Sequence, residues 1–314
     1  MILALGPMAG FTNAPFRKIC MEMGATHTIT EMVSAMGLLH APKNKEPYKH
    51  LLYVNENETN AAAQIFGSNP LVMAQAAKVI ADLGCFSYID INMGCPVKKI
   101  VGNGEGSALM KNPVLAGKIV ESVAKAQPLP VSVKMRIGWD SEHINAVEFA
   151  KVLAQSGASM LAVHGRTREQ FYAGAANWQA IAQVKQAVNI PVIANGDVVD
   201  TVSAQAILDT TRCDGIMLAR ATMGNPWIFA ALSAHFAGKV YTEPSLATRK
   251  QTMLAHFEAL LAFEGEHKGL AEAKSQLVHY FAGSKNASQA RAMLNTAQSE
   301  MEVLHLIEEF FACQ

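Results

Sequence analysis

Short apolar runs ending in polar residues recur eight times along the first two thirds of the chain, at 2–5, 26–30, 61–66, 88–91, 131–135, 160–164, 192–194 and 215–218. Their length and composition predict strands. Helix-length segments separate them, at 70–83, 113–126, 146–156, 178–187 and 202–209. Strands alternating with such segments predict a parallel sheet with crossover helices, and eight units predict closure into a (β/α)8 TIM barrel. One connection breaks the rhythm. Residues 31–60 hold Pro42, Pro47 and many polar side chains, which predicts a long loop with room for one helix.

Beyond about Tyr241 the strand pattern stops. Met253, Phe257, Leu260 and Leu261, then Leu277, Tyr280 and Phe281, then Met293, then Met301, Leu304, Ile307 and Phe310 recur at helical spacing. Gly265, Gly283 and Asn286 divide these runs into about four helices, and Thr242-Glu243-Pro244 marks a linker. The reading is a barrel domain over 1–240 and a small all-helical domain over 241–314.

Composition narrows the function. At 314 residues the chain fits a barrel of ~250 residues with an appendage. It is 50% hydrophobic and only 17% charged, which excludes wholesale disorder. Lys plus Arg equals Asp plus Glu, 26 of each, so a nucleic-acid partner would need a local basic patch. The cysteines Cys20, Cys85, Cys95, Cys213 and Cys313 form no C-x-x-C pair and no metal-ligand spacing, so no metal is expected. Cys20, Cys85 and Cys213 lie beside apolar residues and read as small buried hydrophobes. An odd, scattered set without a signal-peptide pattern reads as reduced and cytoplasmic. No apolar run reaches ~18 residues, so no membrane span is expected.

In such a barrel the chemistry sits where strands run into βα loops. The polar residues there are Glu31, Gln64, Asn92 with Cys95, Lys134 with Arg136, His164 with Arg166, Asn195-Gly196-Asp197 and Arg220. Lys134 and Arg136 stand two positions apart on one strand and share a face, the barrel interior or its mouth. Cations there are costly to bury unless anionic or carbonyl groups meet them. Cys95, in a Gly-Cys-Pro loop, is either a small hydrophobe or a chemical group. His164 is either a core histidine pinning a loop or a ligand contact, and Gln64 and Asn92 could equally satisfy backbone groups at strand ends. The loops after the seventh and eighth strands, with Gly196 and Ala219-Arg220, stand where this fold binds phosphate. A phosphorylated cofactor or substrate follows.

The ordered set Pro7-Met8-Ala9-Gly10, Asn92-Met93-Gly94-Cys95-Pro96 with Lys98-Lys99, Val133-Lys134-Met135-Arg136-Ile137-Gly138-Trp139, Val163-His164-Gly165-Arg166-Thr167-Arg168, Ile193-Ala194-Asn195-Gly196-Asp197 and Gly224-Asn225-Pro226-Trp227 resembles the bacterial tRNA-dihydrouridine synthases. The resemblance covers residues 1 to about 232 well and the tail loosely. The Cys95 loop is closest to the B-type branch, while 135–139 and 169–172 also resemble the C-type.

That resemblance implies FMN at the barrel mouth and NADPH as electron source. Pro7, Met8 and Ala9 would pack on the flavin, and Gln64 and Lys134 would hydrogen-bond its ring. His164, Asn195, Gly196, Asp197, Ala219 and Arg220 would hold its phosphate tail. Uridines of RNA, most naturally tRNA with ribosomal RNA as the alternative, would take a hydride at C6 from reduced FMN and a proton at C5 from Cys95. Asn92, Arg136 and Tyr172 would read the flipped base. Lys98 and Lys99, with Arg166 and Arg168, would form one RNA patch, and Lys268, Lys274, Lys285 and Arg291 a second. A monomer is expected. The chain departs from the family in carrying Ala219 for Gly and Asn13 for Asp, and its tail holds nine Glu against six Lys/Arg. Two other readings stay open: an FMN-dependent dehydrogenase of a free pyrimidine or other small molecule, and a non-redox barrel with a Lys134 Schiff base.

Overall fold

Eight parallel strands close on themselves, with a short ninth beside them, in the computed structural model, which describes residues 1–40 and 46–314. Residues 41–45, with Pro42, lie outside the described residues. The strands are β1 (Ile2–Leu5), β2 (His27–Ile29), β3 (Val33–Ser34), β4 (Ala61–Phe66), β5 (Tyr88–Met93), β6 (Val131–Arg136), β7 (Met160–His164), β8 (Val192–Asn195) and β9 (Gly215–Leu218). Neighbours pair in order, β2 pairs with both β1 and β4, and β1 pairs with β9, which completes the predicted barrel.

The ninth strand, β3, was not expected. It pairs with β4 at Val33↔Ile65, whereas β2 pairs at Ile29↔Ala62. Four steps on one side therefore face three on the other, the signature of a bulge. The bulge brings Met32 to the barrel mouth. The long connection also holds two short helices where room for one was read, α1 (Ala14–Glu22) being followed by α2 (Ala35–His40) and α3 (Glu46–Leu51).

Outer helices follow α4 (Pro70–Ala81), α5 (Lys98–Val101), α6 (Pro113–Ala126), α7 (Ala146–Gln155), α8 (Trp178–Ala187), α9 (Thr201–Thr211) and α10 (Ile228–Phe236). Their starts are written locally. Asn69 and Asn112 each cap a helix whose next residue is proline, so the side chain meets free N–H groups and the ring supplies a helical φ. Strand residues alternate between two cores. Ile89, Ile91, Val131, Val133, Leu161 and Val163 point outward under the helices, while Ala4, Ile29, Ala62, Tyr88, Ala162, Ile193 and Met217 fill the barrel. Cys20 is buried as expected, but Cys85, expected to be buried, is exposed in the loop between α4 and β5.

Past residue 241 come four helices, α11 (Leu246–Glu264), α12 (Glu266–Leu277), α13 (Ala287–Thr296) and α14 (Glu300–Ala312). Met253, Phe257, Leu277, Phe281, Ile307 and Phe310 form a second core there. This helical region leans on the loop after β1 and on α1. His256 stacks on Phe16, His279 meets Phe11 edge-on, and Gln276 Nε2 donates to Gly10 O at 3.2 Å. Asn13 caps α1 through Oδ1 and donates from Nδ2 to Glu272 at 2.7 Å. An Asp at 13 could cap but would face Glu272 with a like charge, which accounts for the amide here.

Candidate active site

The inward residues of β4–β8 change character along the strand. Tyr88 and Met160 lie low in the barrel, and Gln64, Asn92, Lys134, His164 and Asn195 lie above them. Over this floor opens a cavity of about 830 Å³. Pro7, Met8, Ala9, Gln64, Asn92, Cys95, Lys134, Arg136, His164, Tyr172, Asn195, Gly196, Asp197, Ala219 and Arg220 all line it. Lys98 and Lys99 do not; they stand exposed on α5, just outside the Cys95 loop. Sequence reasoning missed Met32, Phe171 and Met217 as wall residues. Phe171 has φ of 50°, in the left-handed region, so the loop turns sharply there and sets Tyr172 over the mouth.

Positive charge dominates the cavity. Lys134, Arg136, Arg166 and Arg220 surround His164, and burial together with those charges pushes its imidazole down to about 2. His164 is therefore neutral at working pH. Arg166 can only donate, so Nε2 of His164 accepts at 3.4 Å and Nδ1 carries the hydrogen. Burial and the neighbouring Arg136 charge lower Lys134 to about 8, with Asp90 acting the other way. Its Nζ donates to Asn195 Oδ1 at 2.9 Å, and Asn195 Nδ2 donates to Met217 O. Asn195 thus aims the lysine while also lining the cavity.

Arg166 departs from its expected place in an RNA patch. It is buried, its guanidinium clamps both oxygens of Asp197 at 2.7 and 2.8 Å, and it also donates to the carbonyls of Ala173 and Gly174. Asp197, with φ of 59°, accepts the Ala176 N–H as well, so this carboxylate organises a loop. Arg220 remains exposed, 4.7 Å from the Tyr172 ring and 4.0 Å from Asp197. Ala219 has φ of −134°, outside the left-handed region that favours glycine. Among the four helices of the tail, Lys268 is tied to Glu264 and Glu272 and leaves the expected second patch.

The thiol is held by a short loop. Asn92 Oδ1 accepts the N–H groups of Gly94 and Cys95 at 3.1 and 2.9 Å, and Arg136 pins Gly94 O at 2.8 Å. Arg136 Nη1 donates to Thr167 O and Phe171 O, so much of this residue serves to join three loops. Burial raises the Cys95 thiol, offset in part by the Val97 N–H and the Arg136 charge. A half-buried thiol that stays protonated, facing a cavity with a cation set, can deliver a proton to a bound anionic or carbonyl-bearing ligand.

The dihydrouridine synthase family model matches residues 2–313 of this chain. A probable tRNA-dihydrouridine synthase of Rickettsia prowazekii (strain Madrid E) is 38% identical over 98% of this chain and 93% of its own length. One of Rhodobacter capsulatus is 40% identical over 98% and 94%, and tRNA-dihydrouridine synthase B of Xanthomonas axonopodis pv. citri is 38% identical over 98% and 92%. Among solved structures, histamine dehydrogenase from Rhizobium sp. 4-9 superposes with a TM-score of 0.59 at 12% identity, over 82% of this chain and 48% of that one. A morphinone reductase variant in complex with tetrahydroNAD gives 0.53 at 14%, over 79% and 90%. Likeness at that level speaks for the barrel alone. With a family match over nearly every residue, and relatives close to 40% identical across their lengths, the chain belongs to the dihydrouridine synthase family.

Proposed function

We propose that the protein is an FMN-dependent tRNA-dihydrouridine synthase, a cytoplasmic monomer that draws electrons from NADPH. The observation carrying this reading is one cavity in which the protonated Cys95 thiol faces Lys134 and Arg220 across a floor of neutral hydrogen-bonding groups. The donor set fits FMN: a positively charged, partly apolar pocket with an exposed arginine at the loop where barrels of this kind hold phosphate. Bound there, FMN would supply the two electrons that saturate the C5–C6 bond of uracil.

The chain's own residues divide the rest of the work. Pro7 to Ala9 would wall one side of the ring, and Lys134, aimed by Asn195, would face its most electron-rich edge. Gly196, Ala219 and Arg220 would cradle the phosphate, with neutral His164 donating from Nδ1. Cys95 would deliver the proton to C5. Tyr172, flanked by Arg220 and Arg136, would contact the extruded base. Residues 1–240 would then be the catalytic domain and 241–314 a domain that steadies the RNA.

Purified protein should be yellow, with FMN released on heating, and a colourless preparation that ignores added FMN would sink the reading. Lys134→Ala and Arg220→Ala should each weaken FMN binding by about 10- to 100-fold, the usual cost of a lost charged contact. Lys134 is cationic below its pKa of about 8, so FMN affinity of the apoprotein should decline as pH rises through that value. Lys134→Ala should remove the decline; fluorescence titration of FMN between pH 7 and 9 reads both outcomes.

Lys98 and Lys99 beside the thiol loop, with Lys274, Lys285 and Arg291 on the helical region, are the basic groups proposed to meet RNA phosphates. Neutralising either set should weaken tRNA binding and lower the salt slope by roughly one unit per lost contact. NADPH oxidation should stay intact. The tail's surplus of Glu favours the small-molecule reading instead. Unchanged tRNA binding in both sets, together with turnover of free uracil derivatives, would decide for it. Mass spectrometry of RNA from cells lacking the gene would identify the uridine that loses its modification.

A further inference from the structure

Beyond the charge with which it supports Lys134, the carboxylate of Asp90 has no part in the chemistry above, yet it is fully buried inside the barrel. Gln64 on β4 and Ser132 on β6 are its register partners on either side. Ser132 Oγ donates to one carboxylate oxygen, and Gln64 Nε2 donates to the other at 2.6 Å. From Gln64 the bonds continue toward the mouth. Its Oε1 accepts from Asn92 Nδ2 at 2.9 Å, and Asn92 Oδ1 accepts the N–H groups of Gly94 and Cys95. Ser132, Asp90, Gln64 and Asn92 are all buried.

A primary amide donates at one end and accepts at the other, so these links are not independent. The two backbone N–H groups need the oxygen of Asn92, which turns its nitrogen toward Gln64. Gln64 must then present its oxygen to Asn92 and its nitrogen to whatever lies beyond. Ser132 brings a further donor from the opposite side. The Ser132 hydroxyl could also accept, but among the described residues its hydrogen has no acceptor other than Asp90, so the string closes at a residue that accepts on both sides, and a carboxylate does that.

We infer that Asp90 is a positioning residue for Cys95. Its carboxylate is the point at which the polarity of the string reverses, and it locks Gln64 and Asn92 in the orientation that holds the thiol loop. The consequence for RNA reduction rests on the proposed role of Cys95 as proton donor; the consequence for loop geometry does not.

Asp90→Asn keeps the shape but supplies one acceptor and one donor, leaving a donor of the string without a partner. Moving the carboxylate along the string should repair it. In Asp90→Asn/Gln64→Glu and in Asp90→Asn/Asn92→Asp every link again has a donor and an acceptor. The readout is the alkylation rate of Cys95 by iodoacetamide, followed at that peptide by mass spectrometry in the FMN-loaded protein, beside NADPH oxidation and tRNA reduction. Asp90→Asn should raise Cys95 alkylation about tenfold and slow tRNA reduction by a similar factor, matching one unsatisfied buried donor. NADPH oxidation should fall by less than tRNA reduction, the part it loses reporting the Asp90 charge that supports Lys134. At least one double variant should return alkylation to near the starting rate. Wild-type alkylation in Asp90→Asn, or recovery in neither folded, yellow double variant, overturns the inference. Full tRNA turnover in Cys95→Ala would instead remove the proton-donor reading, while the alkylation result would still judge the role of Asp90.

Discussion

Cys95→Ala is expected to reduce tRNA about 10²- to 10⁴-fold more slowly, the range that loss of a general acid usually produces, while NADPH oxidation continues unimpaired. The separation follows from where the thiol stands. Cys95 lies in the loop after β5, held by Asn92 and closed in by Arg136, whereas the cation expected to face the cofactor, Lys134, is held independently by Asn195. Removing one sulfur leaves the lysine and its partner untouched. Stopped-flow absorbance would follow flavin reduction, and mass spectrometry of product RNA the second step. Equal losses in both would make Cys95 structural. The pH profile gives an independent check. Burial raises the thiol above its ordinary range, so the acid form persists at neutral pH and is lost only as pH rises past that range. At saturating FMN, tRNA reduction by the native protein should therefore lose its Cys95-dependent part in alkali, in addition to the fall near pH 8 that Lys134 imposes on both proteins, and the alanine variant should lack that further fall.

Much of this site is legible in the sequence because strand periodicity is a local property. The inward placement of Lys134 and Arg136 needs only their spacing of two and apolar neighbours at 131, 133 and 135. The position of Cys95 at a strand end needs only the run from Tyr88. What escapes is every partnership that depends on register between distant strands. Lys134 and Asn195 lie on strands that are not adjacent, 61 residues apart, and Arg166 meets Asp197 across 31 residues. Arg166 reads from the sequence as part of a surface patch until Asp197 is placed beside it, and the bond by which Asn195 aims Lys134 has no local signal. β3 escapes for another reason: two residues after a bulge carry no periodic signal. The tail's helices are visible because their breaks are chemical, Gly265 at φ 78° and Asn286 at φ 58°. Its docking is not visible, since it joins residues far apart in the chain, Asn13 meeting Glu272 across 259 residues and Gln276 meeting Gly10 across 266.

The largest stability effect should come from a charge pair far from the thiol. Arg17 on α1 and Glu58 before β4 are both about 1% exposed and meet at 2.6 Å. Arg17 also donates to Thr12 O and Tyr53 O, and Glu58 also accepts from Thr28 and Asn55. The pair therefore binds the loop after β1, which carries Pro7 to Ala9, to the long connection before β4. Arg17→Met leaves Glu58 buried without its counter-charge, a change that typically costs about 3–5 kcal/mol. For a chain of this size that is a fall in Tm of roughly 5–8 °C. Adding Glu58→Gln should recover part of the loss, because the orphaned charge goes with it. The pH dependence should change sign. Burial alone would raise the Glu58 carboxyl, but the Arg17 charge and the surrounding hydrogen bonds hold it below the ordinary range. Its contribution in the native protein is thus present above about pH 4.3 and lost as pH falls through the lower folded-state value. In Arg17→Met, burial without the cation raises the folded-state value instead, so stability should decline as pH rises from about 4 upward. Thermal melts from pH 4 to 7 would show the two slopes. An unshifted Tm, or parallel slopes in both proteins, would mean that the pair is dispensable and that other contacts hold the loop beside the cavity.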